Sequence, residues 1–290
     1  MREFNQNFSY LDITERIGYF AVFGGFKDIN ALHTYENLNE NILHNILDRF
    51  EEFYEDFTYS TDKETQHDLD TLLFRIAVGD RKTHSIYKND ISQPRGKELY
   101  KILYEQNIIT KEYSREEFPK LPKRFLKKEL RRYQVEDKIL FKDNFTRFWF
   151  TFIIPYQKEI LKGEFDNVKA NLAQNLDKFI SFTFENLSND LIGKAFEKEG
   201  IAESGSYWDK NIELDLLTKT AKGTVIAGEC KWKNQRISKN ILNKLQKKCE
   251  LANLKVDYFA LFSKSGFSNE LLKQKERNIL LFDLTSFETL

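Results

Sequence analysis

The chain has 290 residues, and 45 Lys and Arg stand against 45 Asp and Glu, so it carries no formal net charge at neutral pH. Hydrophobic residues make up 41% and charged residues 31%, a globular balance that excludes a disordered chain. Apolar runs such as 148–150 and 152–154 are far too short to cross a bilayer, and two cysteines cannot form a disulfide framework. With no apolar signal core in the first residues, a cytoplasmic protein away from membranes is expected.

In chain order, residues 38–57 read as one helix with Ile42, Ile46, Phe50, Phe53 and Phe57 on a single face. Leu69–Val78 reads as a helix ending at Gly79, a short helix is expected around Thr83–Lys88, and a third over Gln93–Gln106 with Pro94 in its first turn. Ile108–Tyr113 is strand-like, with Tyr133–Glu136 able to return antiparallel to it. Three helices and a two-stranded wing describe a winged helix-turn-helix. Its third helix would present Arg95, Lys97 and Lys101 outward, with Leu99, Ile102 and Leu103 toward the core. Such domains bind either DNA or protein, and phosphate-facing bases alone do not choose between them. Residues 145–154 (FTRFWFTFII) hold one base, Arg147, and read as buried packing rather than a base-stacking platform.

From Val168 the pattern becomes a helix to about Lys198, strands over Ile212–Thr218 and Thr224–Trp232 joined at Lys222-Gly223, and a helix over Ser238–Ala252. A strand over Val256–Phe262, a helix over Ser268–Glu276 and a strand over Ile279–Leu284 follow. The expected fold is α+β or α/β. It has a helical segment over 1–66, a winged helix over 67–138, an aromatic connection over 139–167 and a mixed sheet flanked by helices over 168–290.

Neutrality on average conceals strong local charge. Residues 1–70 hold fifteen acids and five bases, Lys120–Tyr133 seven bases and one acid, and Lys219–Lys248 nine bases and one acid. Screening confines each field to about 10 Å, so basic stripes attract phosphate on a neutral protein. Lys123, Arg124, Lys127, Lys128, Lys233 and Arg236 are therefore candidate nucleic-acid contacts beside Arg95, Lys97 and Lys101. A solvated helix face also accounts for each run taken singly.

The chemistry concentrates on the hairpin. Strict alternation sets Glu213 and Asp215 on one face against Leu214 and Leu216 on the other, and pairs Glu229 with Lys231 against Cys230 and Trp232. Asp215 and Glu229 suit Mg²⁺ or Mn²⁺ with retained waters, and Glu185 on the preceding helix can add a third carboxylate if it packs alongside. Lys231 would act as a point charge on a phosphodiester in transit. The same residues also suit a half-exposed hairpin whose acids and lysines merely pair across strands.

Asp215 followed by Glu229-Cys230-Lys231 resembles the PD-(D/E)XK nuclease superfamily. Phe184-Glu185, Tyr207-Trp208, Ile212-Glu213-Leu214-Asp215 and Gly228-Glu229-Cys230-Lys231-Trp232 resemble more closely the nuclease-like domain that ends archaeal-type DEXX-box ATPases. Residues 143–150, Arg75–Gly79 and Tyr19–Phe26 resemble earlier stretches of the same proteins. The resemblance implies a restriction-endonuclease-like core with Glu185, Asp215, Glu229 and Lys231 as a Mg²⁺-dependent hydrolase site, double-stranded DNA as partner, and a separate ATPase subunit. The chain has no Gly-x-x-x-x-Gly-Lys-Ser/Thr phosphate loop, so no ATP site of that kind is expected in it. A regulatory module that binds DNA or a partner without catalysis is the alternative.

Overall fold

The computed structural model describes residues 1–27, 29–88, 90–116, 135–274 and 276–290. They divide into two compact units, 1–112 with 138–183, and 113–137 with 184–290.

The first unit opens with α1 (Arg2–Asn7) and α2 (Ile13–Phe23). Asp12 and Glu15 form a capping box at the start of α2, satisfying two backbone donors that the helix itself leaves unpaired. The single helix expected over 38–57 is instead α3 (Leu38–Ile42), a π-helical stretch over 43–47 and α4 (Phe50–Tyr54), then a 3₁₀ turn over 55–57. The breaks follow from two demands on the chain. Buried Asn41 and Asn45 tie down the backbones of Tyr35 and His33, and Phe50 and Phe57 close on Trp149 at 5.3 and 4.4 Å between ring centroids, both near parallel. The expected face is nonetheless the buried one at Ile42, Ile46, Phe50 and Phe57.

Then come α5 (Lys63–Val78), α6 (Gln93–Glu105), β1 (Ile109–Glu112) and β2 (Lys138–Phe141). Asp62 caps α5 and Ser92 caps α6, with Pro94 in the first turn as expected. The short helix expected at 83–88 is a run of turns bounded by bridges from Lys82 to Lys138 and Lys88 to Ile91. Arg75 donates to the Ile86 carbonyl there, and the Tyr87 ring sits where a Cβ on Gly96 would be, 2.3 Å away. Of the expected return strand Tyr133–Glu136, residues 133 and 134 lie outside the described residues and 135 and 136 form no strand; the strand that returns along β1 is the one after them. It is β2, paired antiparallel with β1 from Ile109 opposite Phe141 to Glu112 opposite Lys138. That register buries Ile109 and Ile139. The aromatic segment is core, as expected, in α7 (Asn144–Phe148) and a π-helical stretch over 149–153. The unit closes with α8 (Gln157–Ile160) and the first part of α9 (Asp166–Ala195).

In the second unit, α9 continues from Phe184 and is followed by β3 (Ile201–Glu203), β4 (Tyr207–Trp208), β5 (Glu213–Leu214), β6 (Leu216–Thr220) and β7 (Val225–Lys231). After them come α10 (Lys239–Leu251), β8 (Tyr258–Ser263), α11 (Asn269–Leu272) and β9 (Ile279–Asp283). Gly223, at φ +90°, makes the turn between β6 and β7. The five-stranded sheet has order β3-β6-β7-β8-β9. Its first three strands are antiparallel neighbours, and β7, β8 and β9 run parallel, the mixed sheet with flanking helices expected from the sequence.

Alternation along β7 assigns the two faces of this sheet. Val225 and Ala227 pack with Leu242, Leu245 and Cys249 of α10. The other face carries Cys230, whose thiol meets Ser188 and Glu185 of α9. Phe184 of α9 packs its ring against Trp232 and Phe287. Burying each of the Leu and Phe side chains here contributes about 1.5–3 kcal/mol.

Candidate active site

Asp215 sits where the chain leaves one sheet for another. β5 pairs with β4 in a separate two-stranded sheet, and β6 joins the main one. The strict alternation expected over 212–217 therefore slips at this point. Leu214 and Leu217, three residues apart, lie in the same apolar cluster with α10, so Leu214 does not share the far face with Leu216. The bend opens the β6–β7 ladder just past the Leu216–Gly228 pair. The amide of Cys230 is then without a strand partner on that side, and Asp215 Oδ2 accepts it at 2.8 Å. A carboxylate thus replaces a backbone acceptor at the end of the ladder.

Around that carboxylate the geometry is close. Lys231 Nζ lies 2.7 Å from Glu229 Oε1, 3.1 Å from the Cys230 carbonyl and 4.0 Å from Asp215 Oδ2. Lys248 of α10 donates to Glu229 Oε2 at 2.9 Å. Lys248 was not among the residues singled out from sequence. It stands beside apolar Cys249 on an amphipathic helix, where a lysine looks like a solvated flank. Its signal was the helical spacing that carries Leu245 and Cys249 onto the face of Glu229.

Burial pushes the Asp215 carboxyl up to about 6, with repulsion from Glu229 adding to it against Lys231, the Cys230 amide and Lys248. Burial also works on Glu229, but Lys231 and Lys248 outweigh it and hold that carboxyl below its usual range. Lys231 is pulled down by burial and raised further by Glu229 and Asp215, so its pKa lies above the ordinary lysine value. The ammonium therefore stays charged at neutral pH and works as a fixed positive charge, whereas Asp215 titrates where a proton can be exchanged.

Glu185 approaches from α9. It acts on the thiol of Cys230, which points to the face opposite Glu229 and Lys231. Among the described residues no three of His, Cys, Asp and Glu are grouped to hold a metal ion, so Glu185, Asp215 and Glu229 do not assemble as one ligand set. Cys230 is buried and its thiol is pushed well above 9, first by burial and then by Asp215 and Glu185, which suits packing and not nucleophilic attack. Trp208 is buried, as expected, and its indole donates to the Glu136 carbonyl.

Of the candidate nucleic-acid contacts, Lys233 and Arg236 are exposed in the loop after β7, next to Lys231. Lys97 is exposed on α6, and Lys101 is exposed and 3.8 Å from Glu105. Arg95 does not point outward. It donates to Asp68 at 2.8 Å and to Thr65, tying α6 to α5. Lys123, Arg124, Lys127 and Lys128 lie outside the described residues. No helix among the described residues is long and apolar enough to cross a membrane.

Residues 149–245 match the DUF234 family, archaeal and bacterial proteins of unknown function. The match takes in Glu185, Asp215, Glu229 and Lys231. The chain is also similar to an uncharacterised protein of Methanocaldococcus jannaschii, 29% identical over 157 residues. That alignment covers 50% of this chain and 34% of the archaeal protein, so the chain spans about a third of that relative's length. No solved structure matches.

Proposed function

We propose that the second unit is a metal-dependent, nuclease-like domain acting on the phosphodiester backbone of double-stranded DNA. The observation that carries this reading is the meeting of Asp215, Glu229 and Lys231 at the open end of the β6–β7 ladder. Two carboxylates that repel each other, one of them raised to about 6, fit a hard divalent cation, because Mg²⁺ is commonly held by one or two carboxylates with waters completing its shell. Asp215 and Glu229 would hold it; when bound, such a cation polarises a phosphoryl oxygen and lowers the pKa of an attacking water. Lys231 supplies a permanent positive charge for the phosphate, and Glu229 keeps that ammonium in place. Lys233 and Arg236, just beyond it, offer charge to the flanking backbone, with Lys97 and Lys101 as a second contact. The resemblance to archaeal DEXX-box ATPases extends this reading to a separate ATPase partner.

One observation favours a non-catalytic module instead. Both oxygens of Glu229 already face ammonium groups, Lys231 on one and Lys248 on the other, which neutralises the carboxylate without a metal. Supercoiled plasmid incubated with Mn²⁺ separates the readings. The nuclease reading expects cleavage by the native chain that falls by about a hundredfold or more in Asp215→Ala and Lys231→Ala. Cleavage equal in all three proteins, or none alongside salt-sensitive DNA binding, overturns it, the latter outcome in favour of the binding module.

A further inference from the structure

A second site lies in the first unit, remote in chemistry from the carboxylates just described. Helix α5, strand β2, the 147–156 segment and α9 enclose a cavity of about 490 Å³, within the range of small-molecule sites. Its described lining includes Arg81, Arg147 and Lys178 and no acidic residue.

These three cations are held differently. Arg81 is paired with Glu112 at 3.0 Å, outside the lining, so its charge is compensated. Arg147 is buried, donates to the Phe179 carbonyl and the Thr183 hydroxyl at 3.0 and 2.9 Å, and lies 3.7 Å from the centre of the Phe179 ring. Lys178 is exposed at the edge and forms no ion pair with a described residue. One free ammonium, with a buried guanidinium behind it, favours a ligand carrying one compact anionic group.

The rest of the wall asks for a flat ring with a hydrogen-bonding edge. Tyr156 presents partly exposed aromatic surface to the cavity, a surface on which a planar base stacks for about 1–3 kcal/mol, whereas the Phe182 ring is already covered by the guanidiniums of Arg81 and Arg147, 4.3 and 4.7 Å from its centre. One helical turn apart on α9, Asn175 donates to Asn171 Oδ1 at 2.7 Å. That bond leaves the Asn171 amide group as a donor and the Asn175 carbonyl as an acceptor, side by side, and this donor–acceptor pair complements the edge of a nucleobase.

We infer that this cavity is a binding site for a nucleoside monophosphate, with the base against Tyr156 and the asparagine pair and the phosphate toward Lys178 and Arg147. The charge count selects a monophosphate, since the cations here do not match the charge of a triphosphate.

Calorimetric titration of the full chain with AMP, GMP, CMP and UMP tests the site. Inorganic phosphate and adenosine serve as half-ligands and benzoate as an unrelated aromatic anion. At least one nucleotide binds, and more tightly than phosphate, adenosine or benzoate. Lys178→Glu, an exposed change that leaves the core alone, weakens it about tenfold or more. Asn171→Ala alters the ranking among the four bases, and Asp215→Ala changes nothing. The inference is overturned if no nucleotide binds at millimolar concentration, or if phosphate or benzoate binds as well as the nucleotides. It is equally overturned if Lys178→Glu has no effect, or if Asp215→Ala abolishes binding, which would place the nucleotide at the carboxylate site.

Discussion

The two faces of the β7 sheet treat the same kind of group in opposite ways. Toward α10, Glu229 and Lys231 form a closely spaced set with Asp215 and Lys248, in which each charge is answered by another. Toward α9, the alternate residues Cys230 and Trp232 are buried against Phe184 and Ser188. A single strand thus supplies a polar site and a dry core, because successive side chains leave it on opposite sides. Glu185 belongs to the α9 side, where it acts on the Cys230 thiol.

The largest expected effect comes from removing the acid that both lysines share. Glu229→Ala strands two partly buried ammonium groups, so it should destabilise the fold by about 2 kcal/mol, between the limits for exposed and buried pairs. Urea denaturation measures it. Glu185→Ala, on the opposite face, should cost less; an equal or larger loss would show that the faces are not independent.

Asp215→Asn should act with the opposite sign. The amide oxygen can still accept from Cys230, while the carboxylate repelled by Glu229 is gone, so the variant should be more stable at pH 7 by about 1 kcal/mol. An acid whose folded-state pKa is raised binds its proton more tightly when folded. Its contribution therefore grows as pH falls from about 6 toward the ordinary carboxylate value of 3.8, and it is flat above about 6. Glu229, held low, works the other way, and its contribution is lost only as pH falls below the usual range. Asp70 in the first unit is also raised to about 6, chiefly by burial. The stability difference between native chain and Asp215→Asn across pH 4–7 isolates Asp215, and a difference independent of pH would refute the assignment.

The smallest effect is kinetic. Burial raises the thiols of Cys230 and Cys249, the latter to about 11, so iodoacetamide at pH 8 should label neither in the folded chain and both in denaturant. Rapid labelling of folded Cys230 would mean that the α9 face is open.

Much of this was legible in the sequence, for identifiable reasons. The alternation over 225–231 and the four-residue steps of 241, 245 and 249 fix which side chains face which layer, and the density of aromatics over 145–154 marks a core. What stayed hidden depends on partners distant in the chain. The bend at Asp215 exists because β5 pairs with β4 while β6 pairs with β7, and no local pattern over 212–217 announces it. The interruptions over 43–49 follow from the Trp149 sandwich. The approach of Glu185 to Cys230 depends on α9 packing against that face of β7, and the sequence around Cys230 does not show which helix lies there.

The central claim is that Asp215 and Glu229, on the α10 face, form a two-carboxylate cation site without Glu185. Isothermal titration with Mn²⁺ of the native chain, Asp215→Ala and Glu185→Ala tests it most directly. The account predicts binding in the native chain and in Glu185→Ala, and its loss in Asp215→Ala. Binding that survives in Asp215→Ala, or that disappears in Glu185→Ala, would contradict it.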